Sequence, residues 1–163
     1  MTAKSLFFWV RCSIVIIALC GVTVCALWYP YSFSLIKISL TNSELTKLTT
    51  AQSWGLLSFY WAVSIPCFII LIIAWKISAR VKEERLFTVE VAGMIKLCAL
   101  ILLIDLGVFF VGNTVFLILK MNDFAFIYFF LILGGLVLSV FLSILSHYVA
   151  KAAELQEMSD GTV

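Results

Sequence analysis

Charge is scarce in this chain, and so are the residues that build catalytic and metal centres. Only 12% of its 163 residues are Asp, Glu, Lys or Arg, and it has one histidine and two prolines. Soluble domains carry charge on about a quarter of their residues, so a soluble fold is excluded. No C-x-x-C pair, no H-E-x-x-H and no Gly-rich phosphate loop occurs. Cys12, Cys20, Cys25, Cys67 and Cys98 sit inside or beside apolar runs with no histidine to complete a zinc set, and read as small packing residues. The net charge is only +2, with no basic stretch interleaved with aromatics, so direct nucleic-acid binding is not expected. A Ser-His-Asp triad has no geometric basis either, because Asp105 belongs mid-membrane, far from His147, and no G-x-S-x-G elbow is present. The residues predict no enzymatic activity, no metal and no cofactor.

What the chain has is apolar length: 64% of residues are hydrophobic and the mean hydropathy is +1.17. Four runs are long enough to cross a hydrocarbon core of about 30 Å at about 1.5 Å per helical residue, over approximately 7–29, 54–76, 95–119 and 124–147. The first opens after Lys4 like a signal peptide, but it is too long for an h-region and ends in Trp28-Tyr29-Pro30 rather than at a small-residue cleavage site. Trp9 and Trp28, and again Trp54 and Trp75, stand about 30 Å apart along a helix and match two aromatic belts. Arg11 reads as an anchor whose stem snorkels to the headgroups. Pro66, at the centre of the second run, displaces the carbonyl of Ala62 and predicts a kink, with Ser64 or a neighbouring helix the candidates to satisfy the freed group.

Between the runs lie a Ser/Thr-rich interval at 30–53, in which Ser43 is placed to cap a short helix, and a basic interval at 77–94. Thr88 reads as the N-cap of the third helix, with Glu90 in its first turn. The connection Lys120-Met-Asn-Asp123 turns the third run tightly back into the fourth. Beyond the fourth, 148–163 reads as an amphipathic tail with Lys151 and Glu154 paired. Lys4, Arg11, Lys76, Arg80, Lys82, Arg85, Lys96 and Lys151 fall on the side of the N-terminus, against Lys37, Lys47 and Lys120 on the other. By the positive-inside rule both termini and the 77–94 loop are cytoplasmic, and 30–53 is extracytoplasmic. The expected fold is all-α: one membrane domain, a four-helix bundle of two antiparallel hairpins.

Asp105 is the sharpest single feature. An acid mid-membrane costs about 2.5–3.5 kcal/mol on insertion scales, so it implies a partner or a role. Ser64 and Ser139 should lie at similar depth, and Asn113 and Thr114 follow two turns on. Such a group can bind a proton or cation in coupled transport, or act as hydrogen-bonding glue between helices. Gly135, Ser139 and Ser143, at four-residue spacing, form a small-residue stripe for close helix packing.

Two cytoplasmic pieces carry a resemblance. Phe87-Thr88-x-Glu90 followed by Ile95-Lys96, and Ala153-Glu154-Leu155-Gln156-Glu157 with Asp160-Gly161-Thr162-Val163, resemble the YoaS-like family of uncharacterised bacterial membrane proteins. The family usually has Asn where this chain has Val91, and Leu where it has Gly161. The resemblance implies a four-span protein of the bacterial cytoplasmic membrane, often encoded beside a small helix-turn-helix regulator, with no catalytic residues. It suggests a non-enzymatic scaffold or regulator whose Arg80, Lys82, Arg85, Phe87, Thr88 and Glu90, with Glu154, Gln156 and Glu157, dock a small cytoplasmic protein. The alternative is a small proton- or cation-coupled transporter using Asp105, which would need to form a homo-oligomer to make a pathway.

Overall fold

The computed structural model describes residues 3–41, 50–82, 87–119 and 125–160, and all four segments are helical: α1 (Ala3–Thr41), α2 (Thr50–Lys82), α3 (Val89–Ile118) and α4 (Ala125–Asp160). Each contains a stretch long and apolar enough to cross a membrane: Phe7–Leu27, Trp54–Arg80, Val89–Ile118 and Ile127–Met158. Their apolar side chains face outward. Phe8, Ile16, Ile65, Ile104, Phe130 and Val137 are each at least 60% exposed, which water would penalise and lipid does not.

The elements run past the expected spans. α1 continues through Pro30 to Thr41, where the sequence reading began a connector, and α2 already starts at Thr50. Proline inside a helix removes one donor, a cost membrane helices tolerate, so Pro30 does not end α1. The cap assigned to Ser43 lies outside the described residues. Pro66 likewise sits inside continuous α2. Ser64, proposed to satisfy the carbonyl Pro66 frees, donates instead to the carbonyl of Tyr60 at 2.8 Å. α3 begins where the sequence placed it: Thr88 has extended backbone, φ −129° and ψ 151°, and its hydroxyl accepts from the Val91 amide at 3.3 Å. α4 runs unbroken through His147 into the polar tail.

α3 packs on α4, α1 on α2, and α2 on α3; among the described residues the backbones of α1 and α4 do not come close. Along α3 and α4, Ala92 meets Ser146, Ala99 meets Ser139 and Phe109 meets Tyr128. The small core mostly follows that seam and the start of α3: Val91, Ala92, Ile95, Cys98, Ala99 and Ala153 are buried, with Leu57 of α2 apart from them. Small residues set the approach. Leu106 packs over Gly135, and the Phe59 ring lies where a Cβ on Gly112 would fall, held edge-on against Phe116 at 5.2 Å. Gly107, one helical face away, has open space in front of it.

Gly112→Leu is therefore expected to push Phe59 out of its seat and cost about 1–3 kcal/mol, as overpacking does. Gly107→Leu, with its side chain in lipid, should change stability by less than about 0.5 kcal/mol. Unfolding in mixed micelles compares the two.

Candidate functional site

Polar side chains are few on these helices, and most of the contacts between α1, α2 and α3 fall in three groups. At the end where α1 begins, the Arg11 guanidinium sits between the rings of Phe7 and Trp75, at 4.2 and 4.3 Å from their centroids. Its Nε donates to Ser78 Oγ at 3.5 Å, and Ser78, 1% exposed, donates in turn to the Trp75 carbonyl at 2.7 Å. Arg11 is thus packed between α1 and α2 by cation–π contacts, rather than simply extended to headgroups. One turn beyond Lys76, Arg80 Nη2 donates to both carboxylate oxygens of Glu90, at 2.9 and 3.0 Å. That pair joins the end of α2 to the first turn of α3 beside the Thr88 cap.

The second group lies at the middle of the helices. Asp105 is 8% exposed, and its Oδ2 accepts from the Cys67 thiol of α2 at 3.9 Å. Ser64 is not its partner: it accepts from Cys25 Sγ of α1 at 3.4 Å. Ser139 is not its partner either, since its hydroxyl is given to the Ala99 carbonyl at 3.0 Å. Two thiols and a serine thus stitch α1 to α2 and α2 to α3 at neighbouring turns of α2.

The third group is at the opposite end. Tyr60 of α2 donates to Asn113 Oδ1 of α3 at 3.0 Å and lies 2.9 Å from the Tyr128 hydroxyl of α4. Asn113 donates back to the Phe109 carbonyl at 2.8 Å, so this 7%-exposed amide is engaged on both sides. Thr114 is exposed and bonds only within its own helix, to the Phe110 carbonyl.

On α4 the seam differs from the predicted stripe. Gly135 and Ser139 face α3, but Ser143 is exposed and turns back to the Ser139 carbonyl, while Ser146, 6% exposed, reaches the Ala92 carbonyl at 2.8 Å. Residues that face a neighbouring helix recur every seven positions, so the partner of Ser139 along the seam is Ser146 rather than Ser143. That heptad step was readable in the sequence. Tyr60 and Tyr128 were passed over because tyrosines near span ends look like ordinary belt residues.

Of the residues read as a cytoplasmic face, Phe87, Glu90, Glu154, Gln156 and Glu157 are exposed and Arg80 and Thr88 are half-buried. The side chain of Lys82 and all of Arg85 lie outside the described residues. Lys151 and Glu154 are both exposed and form no ion pair with each other. Among the described residues no three His, Cys, Asp or Glu side chains cluster to hold a metal ion.

The chain belongs to the family described as Protein of unknown function (DUF2975), whose family model matches residues 5–163. That fits the YoaS-like resemblance of its motifs. No curated protein and no solved structure matches it.

Ser139→Ala and Ser146→Ala each remove a buried hydroxyl from a helix–helix seam, and each is expected to cost about 0.5–1.5 kcal/mol. Ser143→Ala should cost less than about 0.5 kcal/mol, since its hydroxyl is exposed and bonded within α4. Chemical denaturation in micelles ranks the three.

Proposed function

We propose that this protein is a non-enzymatic membrane scaffold or regulator of the bacterial cytoplasmic membrane, in which two antiparallel hairpins hold both termini and the α2–α3 turn on the cytoplasmic side. There it docks a small cytoplasmic protein. The observation that carries the reading is the length and end of α4. Its 36 residues span about 54 Å, some 24 Å more than the hydrocarbon core, and the polar residues from His147 onward mark the end that emerges.

The emergent part is fixed and sticky. Ala153 is buried at 3% exposure, so the tail stays against the bundle, while Leu155 and Met158 are 58% and 62% exposed between Glu154, Gln156 and Glu157. A tail meant to lie on anionic lipid would carry lysines and arginines, and this one carries a single Lys151 among acids. Exposed apolar residues among carboxylates suit a basic protein surface, which a small helix-turn-helix regulator presents. The Arg80–Glu90 pair steadies the neighbouring turn.

Asp105 supports a second reading, a proton- or cation-coupled transporter built from more than one copy, because a nearly buried acid whose neighbour is a thiol has no charged partner among the described residues. The two separate experimentally. After gentle crosslinking in native membranes, docking predicts capture of a small basic protein by the wild type and by Asp105→Asn. The same capture should fall at least tenfold with Glu154→Lys/Glu157→Lys. Capture of only the protein itself would sink docking and bring transport forward, in which case Asp105→Asn should abolish proton-driven uptake in vesicles.

A further inference from the structure

Arginine has five N–H donors, and the protein answers one of those on Arg11. Its Nε is given to Ser78, while Nη1 and Nη2 find no acceptor and no carboxylate among the described residues. Neither is buried, so both face the surroundings. The guanidinium is also held still: Phe7 and Trp75 cover it at 4.2 and 4.3 Å, and the Ser78 that fixes Nε is 1% exposed and bonded to the Trp75 carbonyl. A snorkelling arginine moves to its partner, whereas a partner has to come to this one. Its depth says what is there to come. Arg11 lies four residues inside the apolar stretch of α1 that begins at Phe7, and Trp75 five residues inside the stretch of α2 that ends at Arg80, about 6 and 8 Å along the helices. The α2 stretch, 27 residues or about 40 Å, covers hydrocarbon and headgroups together, so about 8 Å from its end is the boundary where lipid phosphates and esters give way to acyl chains.

We infer that Arg11, clamped between α1 and α2, is a binding site for the phosphate of an anionic phospholipid, whose two non-bridging oxygens accept from Nη1 and Nη2. With Nε already given to Ser78, the edge left free is the one whose two parallel N–H groups match a phosphodiester. The rings over its faces leave only that edge for an anion and fix its direction before the lipid arrives. Lys76, exposed and without an ion pair among the described residues, adds a second positive charge in the same band, which favours a headgroup of net negative charge over a zwitterionic one. At that depth a soluble anion or the carboxylate of a soluble protein would have to enter the bilayer, which lipid already occupies. A carboxylate of a second copy is the competing occupant, but α1 has no Asp or Glu along its whole length to bring to that face.

The test uses the full chain in bilayers of phosphatidylglycerol and phosphatidylcholine in phosphate-free buffer. With arginine labelled by 15N in the guanidino group, magic-angle-spinning NMR is expected to show an Arg11 signal dephased by lipid 31P, and Arg11→Lys, which leaves Arg80 and Arg85 as the only arginines, should remove that signal. Native mass spectrometry from mixed micelles gives a second measurement: phosphatidylglycerol should be retained severalfold over phosphatidylcholine, and Trp75→Leu, which keeps the charge and removes one side of the clamp, should lower that preference severalfold. A mobile surface charge would be indifferent to the loss of the ring. An Arg11 signal untouched by 31P would overturn the proposal, as would equal preference in wild type and a folded Trp75→Leu. So would dephasing that appears only after inorganic phosphate is added, which would make the site one for the free anion.

Discussion

Hydrocarbon offers no hydrogen bonds, and that constraint orders this structure. Every polar side chain carried into the span must be answered by another group of the protein, and the buried ones described are answered. The solutions are of two kinds. Ser13, Thr23, Thr114 and Ser143 fold back on a carbonyl three or four residues behind them and need no neighbour. Ser139, Ser146, Asn113, Asp105 and Arg11 reach across to another helix, and those five hold the helices in register.

Individually these bonds are worth about 0.6 kcal/mol and at most about 1.7 kcal/mol, because a separated helix also finds partners in the membrane. Their placement matters more than their strength. Since lipid is as apolar as leucine, hydrophobic matching cannot say which face of a helix turns inward, and four helices apolar all round have little else to orient them. The polar contacts do that, together with the close seats at Gly112 and Gly135. This also explains why the core is so small: among the described residues none of α1 is buried, and most of the burial follows the α3–α4 seam, where the small residues are, with Leu57 and Ser78 of α2 apart from it.

The sequence made the helices legible and their mutual arrangement only partly so. Four apolar runs flanked by tryptophans and lysines leave little choice of element, and Thr88 announced the start of α3 by its capping chemistry. The far end of α1 was misjudged because Pro30 followed by serines looks like a turn in water, where a proline inside a helix is costly, whereas a membrane-flanking helix absorbs it. For the polar groups, neither depth nor direction could be counted fully: Ser139 meets Ala99, six residues and about 9 Å along α3 from Asp105. Asp105, Ser64 and Ser139 were placed at one level, yet a rotation of 100° per residue sends Ser139 to the α3 backbone and Ser64 to Cys25, and leaves Cys67 for the acid. Thiols were the hardest to foresee. As weak donors they look like packing, and here they are the contacts at the middle of α2.

The open side of the bundle follows from the same constraint. In water, an unfilled gap between α1 and α4 would expose apolar wall and the two helices would close over it. In a bilayer the gap is filled from the side by hydrocarbon, so closing it gains almost nothing, and the bundle closes only where polar groups or small residues make closure favourable. α1 carries few of either along its inner length: Arg11 at one end, Cys25 towards the other, and Gly21 against the Phe68 ring between them. It is therefore tied to α2 and left apart from α4. A helix held on one side only leaves the other open to lipid.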